Sequence, residues 1–499
     1  MKISNIISKI FSLLSIFLML SVIAISFFRP FMPWDSWAYH FPFSAQLFQI
    51  NDYFQSFSLD QILQDRYEGF PRIAEFLQGV LWLLTGSISS MALINSIPLV
   101  FFIYCATRYG HANFPILVFG ILAIPLIAVH ALSTYIDLFM SVALSFQFLA
   151  AVILHKLFEN KSPEKKRFNK WLIIYTLAAA VSGNTKMWAP IISSAISIIL
   201  FASIAKKSKN ISSFNILLRI HVTLIISVIL CCGSLIKNTI TYKNPVYPIS
   251  ISVPILNLSL NGPETEYKNY PGYADSYGVL SRPIYFLLSI TEWDWSIRGV
   301  EPLYTLETGP GDRPKRYSPA RTGGWWGLTI LISIFLTSGM WLIATFTKFG
   351  HGRISTFPLK LFCLLTLLTS FMPQSHELRY FLYWPILLIF NLAYLTKYLY
   401  SNRLISVLIT SLYISMFLYS LFILRGETLK SLLTYKTQSE LIGVPQTAEE
   451  IVAAKKLGGI CLGSSYNPNQ FKYSSVLQGG IYFIEQGWIQ CVKYPEFKK

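Results

Sequence analysis

Charge is scarce in this chain, and acid is scarcer than base. Only 13% of its 499 residues are charged, with 24 Asp and Glu against 41 Lys and Arg. Cysteine is rare too: there are six and no CxxC pair, four of them (Cys105, Cys231, Cys232, Cys363) lie in apolar runs, and only Cys461 and Cys491 fall in polar sequence. That spacing gives no zinc-site pattern. Missing as well are the GxxxxGK[ST] phosphate loop, the GxGxxG dinucleotide fingerprint and the HExxH helix, so ATP hydrolysis, a Rossmann cofactor and zincin chemistry have no support. The chain shows no internal repeat and no low-complexity tract.

What fills the space is hydrocarbon. Hydrophobic residues make up 53% of the chain and mean hydropathy is +0.49, well above an ordinary soluble protein. The expected fold is an all-α polytopic membrane protein. A net charge of +17 invites a nucleic-acid reading, but the bases sit in short clusters between apolar runs, where the positive-inside rule accounts for them, and no nucleic-acid partner is expected. Lys2 and Lys9 precede the uncharged run Ile10–Phe28, which resembles a signal sequence but is long; it is read as a retained first helix that leaves the cytoplasm.

Eleven apolar runs are long enough, or nearly so, to cross a ~30 Å hydrocarbon core: Ile10–Phe28, Met91–Ala106, Phe114–Val129, Leu138–Leu154, Trp171–Ser182, Met187–Ala205, Ile216–Ile236, Trp325–Phe346, Ile354–Met372, Phe381–Leu395 and Leu404–Leu424. Ala74–Leu84, with Glu75 and Gln78 on one side, reads as a helix at the membrane surface. The basic loop from Lys156 to Lys170, with Lys165, Lys166 and Arg167, fixes the frame, and Lys206, Lys207 and Lys209, then Lys348 and Arg353, then Lys397 and Arg403 fall on the same side. The N-terminus is therefore expected inside and the C-terminus outside, and this frame sets which groups share the outer face. Residues 1–424 form the membrane domain, with a first external loop over 30–75 and a long external loop over 237–324. Residues 425–499 read as a small external α/β appendage, with a helix-like Thr447–Lys456 and strand-like Gly459–Leu462 and Ile481–Ile484. Cys461 and Cys491 would then lie in an oxidising compartment and are expected to form a disulfide.

That frame collects scattered ionisable groups on one face: Asp35 and His40 in FMPWDSWAYHFP (31–42), His130 and Asp137 in a short outer turn, Lys186 at a hairpin tip, Lys237 at the start of the long loop, and His376, Glu377 and Arg379 in a late turn. A belt of interfacial Trp and Tyr needs neither an acid nor an imidazole, and ionisable groups held at a membrane boundary point to function. A carboxylate can take the proton of an acceptor hydroxyl, while fixed cations hold a departing phosphate. Aromatic residues of the long loop, in Tyr267–Asp275 and Trp293-Asp-Trp295, offer flat faces to a sugar or pack the loop on itself.

The pattern resembles the GT-C class of polytopic glycosyltransferases, which includes protein O-mannosyltransferases (family 39-like) and the lipid A aminoarabinose transferase. Asp35 in WDSWAYHFP stands where that class has a catalytic Asp just after the first helix, Asp137 matches a second acidic position, and Lys186 matches a Lys at a later outer tip. Ile236–Pro248 is similar to the "RN…GNPxYP" passage that opens the long loop, with Lys237 for Arg, and His376–Tyr380 to a late arginine-tyrosine motif. The resemblance spans roughly residues 10–400. It departs at Ser36, where several families carry a second acid, so no cofactor is implied as obligatory and a divalent cation stays an open option. It implies an inverting transfer from a polyprenyl-phosphate-linked sugar to a lipid, glycan or protein acceptor at the periplasmic or lumenal face, with a bacterial inner membrane the expected location. Asp35 would be the base and Asp137 a support for Asp35 or for the acceptor, with His40, His130, Lys186, Lys237, His376, Glu377 and Arg379 contacting substrate. Two other readings stand beside it: an O-antigen polymerase or ligase, which leans on external Arg and His, and a transporter or flippase without chemistry, which would carry broken or charged segments at mid-membrane.

Overall fold

The computed structural model describes residues 2–28, 30, 35–49, 61–159, 165–208, 214–253, 258–265, 282–291, 293–294, 301–302, 327–346, 355–372, 375, 378–399, 403–424, 460–462, 481–484 and 490–493. Several sequence features lie outside these residues, among them Phe31–Trp34, Tyr267–Asp275, Trp295, Lys348, Arg353, His376, Glu377 and Thr447–Lys456.

Every one of the eleven apolar runs holds helix. In chain order the helices are α1 (Lys2–Phe28), α2 (Phe41–Phe48), α3 (Gln61–Gly69), α4 (Ile73–Thr85), α5 (Leu93–Arg108), α6 (Phe114–Leu122), α7 (Pro125–Ala131), α8 (Asp137–Glu159), α9 (Lys165–Gly183), α10 (Ala189–Ser208), α11 (Phe214–Cys231), α12 (Gly233–Tyr242), α13 (Arg282–Thr291), α14 (Gly327–Phe346), α15 (Phe357–Phe371), α16 (Tyr383–Leu399) and α17 (Arg403–Leu424). By length and composition, five helices among the described residues can cross a membrane, or seven when each of two bent pairs is taken as one span. The chain is a multi-pass membrane protein.

α8 is the centre of the bundle. Its apolar window is entirely buried, whereas that of α1 is 17% buried, so α1 turns most of its surface, including Leu13, Phe17 and Leu20, to lipid. Gln147 on α8 donates to the Tyr175 hydroxyl and to the Ser193 carbonyl, both at 3.0 Å, and Tyr175 shares a 2.7 Å bond with Ser197. These bonds tie α8 to α9 and α10, since a polar group in this interior must find its partner on another helix.

Two of the runs are bent. Phe114–Val129 reads as one continuous helix, but α6 and α7 meet at 92°. Pro125 supplies the reason: it disfavours helical geometry in the residue before it, and Ile124 is extended at φ −87, ψ 108. The bend carries His130 and the turn after it towards Asp35. Likewise, the run ending at Ile236 breaks at Cys232 and continues as α12 at 53°, so Lys237 lies within a helix and not in a loop. α9 ends against this break. A Cβ on Gly183 would overlap the Cys231 carbonyl, so only glycine lets the two backbones approach so closely.

α4 turns its polar side inward: Ala74, Glu75, Gln78 and Gly79 are buried, while Phe76, Leu83 and Leu84 are exposed. In the long loop, β1 (Ile249–Val253) pairs antiparallel with β2 (Leu258–Leu260) and parallel with β3 (Glu264–Thr265), and β4 (Trp293–Asp294) pairs with β5 (Glu301–Pro302). This sheet is fastened to α3 of the first loop. Arg66 holds Glu264 through Nε and Nη2 at 2.7 and 2.9 Å, and Tyr247 donates to Asp65 at 2.7 Å. In the C-terminal part, β6 (Ile460–Leu462), β7 (Ile481–Ile484) and β8 (Gln490–Lys493) form an antiparallel sheet in the order β6-β8-β7. Its register sets Cys461 opposite Cys491.

Candidate active site

Asp35 opens a π-helical turn, Ser36–His40, that runs straight into α2, where Pro42 fits the first helical turn. The turn is fixed from below. Thr134 donates to Ser36 at 2.6 Å, and His40 Nδ1 lies 2.7 Å from Glu75 Oε1 with both side chains almost fully buried. Ser44 donates to the backbone carbonyls of His40 and Glu75, both at 2.9 Å. His40 thus belongs to the support of the Asp35 turn, paired with an acid that the sequence placed only on the side of a surface helix.

The turn between α7 and α8 is held as firmly. Gln78 donates to the Thr134 carbonyl at 2.8 Å, and Asn95 donates to the carbonyls of Ser133 and Tyr135 at 2.8 and 2.5 Å. His130 stacks on Tyr135, with centroids 4.9 Å apart and planes 17° off parallel, while its Nδ1 meets the Leu126 carbonyl at 2.8 Å. At the α9–α10 tip, Asn184 is the anchor: its Oδ1 accepts from the Ser234 amide and hydroxyl at 2.9 and 2.8 Å, and its Nδ2 donates to the Leu230 carbonyl at 2.7 Å. Lys186, two residues on, is thereby aimed into the site.

Four charged side chains from distant parts of the chain meet over these supports. Arg379 Nη1 donates to Asp35 Oδ2 at 3.1 Å and Nη2 to the Tyr380 hydroxyl at 2.9 Å. Lys186 Nζ lies 2.7 Å from Asp137 Oδ1. Aromatic rings bind the two pairs into one cluster: Lys186 Nζ is 4.7 Å from the Tyr380 centroid, and Arg379 Cζ is 4.8 Å from that of Tyr380 and 5.7 Å from that of Tyr135. Asp137 is 2% exposed, but Asp35, Lys186 and Arg379 are 13%, 19% and 23% exposed, so three of the four reach solvent-accessible space.

The local field favours cations. Burial works against a charge on Arg379, yet Tyr380, Asp35 and Asp137 outweigh it and hold the guanidinium above the ordinary arginine range. Burial, followed by the charge of Asp35, pushes the Tyr135 and Tyr39 hydroxyls well up, so both phenols stay neutral. Two acids and two bases cancel, and an entering anion would exchange one negative partner for another instead of meeting uncompensated charge. Among the described residues no three His, Cys, Asp or Glu side chains converge to hold a metal ion; both carboxylates here face cations.

Of the sequence-derived residues, the structure gathers Asp35, Asp137, Lys186, Arg379 and His130 and places His40 just beneath. Lys237 stands apart, bonded to the Glu68 carbonyl in the network that ties α12 to α3. His376 and Glu377 lie outside the described residues. Tyr135 joins the site without having been expected there, and Tyr380, expected only as the tyrosine of the arginine-tyrosine motif, stands against both cations. A tyrosine beside a charge in a short outer turn was the available signal, since cations in such turns seek aromatic faces.

No family model matches the chain, and no curated protein matches it in sequence. Its fold does have likenesses. The chain is similar to ArnT from Cupriavidus metallidurans in the apo state at 12% identity and a TM-score of 0.51, over 93% of this chain and 83% of that one. The crystal structure of ArnT bound to undecaprenyl phosphate is similar at 13% identity and a TM-score of 0.47, over 93% and 84%. ArnT is the lipid A aminoarabinose transferase, a GT-C glycosyltransferase, and the fold is ArnT-like.

Proposed function

We propose that this protein is a membrane glycosyltransferase that moves a sugar from a polyprenyl-phosphate carrier to an acceptor hydroxyl on a lipid, glycan or protein. The observation that carries the reading is the double ion pair Asp35–Arg379 and Asp137–Lys186, set at the outer ends of helices in an ArnT-like fold. The site faces the periplasm of a bacterial inner membrane, with the N-terminus inside and about eleven spans in all.

In the reaction the acceptor oxygen attacks the anomeric carbon, Asp35 takes the hydroxyl proton, and the bond from the sugar to the carrier phosphate breaks with its electron pair on the phosphate oxygen. Attack from the face opposite the leaving group inverts the anomeric centre. Arg379 and Lys186 stabilise the charge that develops on the phosphate, and fixed donors are worth most where charge appears in the transition state. Phosphate contact draws Arg379 from Asp35, which frees the carboxylate to act as base. Asp137 holds Lys186 in place, and Tyr135 and Tyr380 offer the guanidinium flat faces. Charges gathered at one end of the bundle support chemistry over transport, for which mid-membrane sites are the rule.

A structure with polyprenyl phosphate tests this. Phosphate density between Lys186 and Arg379 is the expected result; density at a site touching neither overturns the reading.

A further inference from the structure

The bundle has a second concentration of charge, at the end remote from Asp35. α8 begins at Asp137 in the site and ends at Glu159 on the other side, where the ends of α5, α9 and α16 lie alongside it. Arg108 stands in the last turn of α5, Lys156 in that of α8 and Lys397 in that of α16, with Arg167 in the first turns of α9. All four are exposed. Between them runs the link from α5 to α6, pinned by the Asn113 amide, which donates to the Ala393 carbonyl at 3.0 Å, and by Asn113 Nδ2, which donates to Ser406 at 2.6 Å.

We infer that this end of the bundle is a binding site for the headgroup phosphate of an anionic phospholipid, built by Arg108, Lys156, Arg167 and Lys397 around His111 and Tyr398. Lys156 Nζ donates to the Tyr398 hydroxyl at 2.9 Å and sits 5.5 Å from the centre of its ring. Tyr398 meets His111 edge to face at 6.3 Å. No ion pair with a carboxylate engages any of the four cations among the described residues. Helix dipoles and the positive-inside rule favour a base at this end of each helix taken singly, but neither requires that bases from four helices surround one link and one Tyr–His pair. His111 registers that convergence: desolvation, then Lys156, Arg167, Lys397 and Arg108 in turn, hold its proton affinity below the ordinary value. Like charges so arranged repel one another, and a counter-anion relieves them. At the end of a membrane bundle the abundant anion is a lipid phosphate, which basic pockets between helices take up, and Tyr at headgroup depth suits the same place.

The experiment uses the full-length protein in detergent, titrated with phosphatidylglycerol or phosphatidylcholine and followed by native mass spectrometry and thermal melting. Phosphatidylglycerol should stay bound and raise the melting temperature, and phosphatidylcholine should do neither. The triple variant Lys156→Gln, Arg167→Gln, Lys397→Gln should lose phosphatidylglycerol affinity by about tenfold or more. Lys156→Arg with Lys397→Arg should keep it, as should Lys206→Gln with Lys360→Gln, which removes two exposed bases outside the cluster. Equal binding of the two lipids by the wild type overturns the proposal without any variant. So does an equal loss in the Lys206 and Lys360 variant, which would show a diffuse surface charge, and so does full retention in the triple variant.

Discussion

Replacing Arg379 by Gln separates what this residue does for the fold from what it does for the reaction. Its guanidinium bonds Asp35 at 3.1 Å and Tyr380 at 2.9 Å, and the Asp35 and Arg379 side chains are 13% and 23% exposed. Exposed pairs contribute ~0–1 kcal/mol, and breaking a fully buried pair costs ~3–5 kcal/mol. A partly buried pair falls between, so Arg379→Gln should cost about 1–3 kcal/mol of stability, chiefly because Asp35 is left without its cation. The effect on transfer should be larger. Removing one fixed donor to a developing anion typically lowers kcat ~10²–10³-fold, and the loss should appear with the carrier-linked donor while the KM for acceptor changes little. Arg379→Lys should recover stability better than turnover, because the ammonium keeps the charge but cannot span Asp35 and Tyr380 as the planar fork does. The assay is thermal melting of the purified protein beside initial rates in liposomes, with each substrate varied in turn. The double variant Asp35→Asn, Arg379→Gln should melt above Arg379→Gln and remain inactive. An Arg379→Gln protein that melts and turns over like the wild type would refute the placement of phosphate at this residue.

Three further outcomes are expected. Lys186→Ala should weaken use of the lipid donor while insertion persists, whereas Lys165→Ala in the basic loop should not; equal rates for all three proteins would remove Lys186 from the site. Reporter fusions at Lys165 and Lys430 should mark opposite compartments, and the same compartment for both would reverse the sidedness on which the periplasmic site depends. Cys461 and Cys491, opposite each other in the register of β6 and β8, should be disulfide-bonded, closing a loop whose cross-link contributes roughly 3 kcal/mol; mass spectrometry of the non-reduced protein that finds both thiols free would exclude the bond.

Basic clusters and apolar runs alternate, and counting them sets Asp35, Asp137, Lys186 and Arg379 at the same end of the bundle without any knowledge of packing; the structure brings these four together in two ion pairs. Which acid meets which base was not legible. That depends on how α8, α9 and the turn before α16 lie against one another, and hydropathy does not encode helix rotation. The bend at Pro125 had a visible signal in the proline itself, but the run around it is apolar throughout and so reads as one span. Glu75 and His40 stand out in the sequence for separate reasons, yet their pairing follows from α4 turning its polar side inward, which its amphipathic pattern alone leaves open. Lys237 was drawn to the site by sidedness, and the break at Cys232 carries it instead to Glu68.

The central claim is that Asp35 takes the proton from the acceptor. Asp35→Asn keeps the size of the side chain and a hydrogen bond to Arg379 but cannot accept that proton, and general-base catalysis typically contributes ~10²–10⁴-fold. Transfer of labelled sugar from a polyprenyl-phosphate donor by the purified, folded Asp35→Asn protein should fall by that order, with its melting temperature lowered no further than that of Arg379→Gln. Transfer at near the wild-type rate would contradict the account.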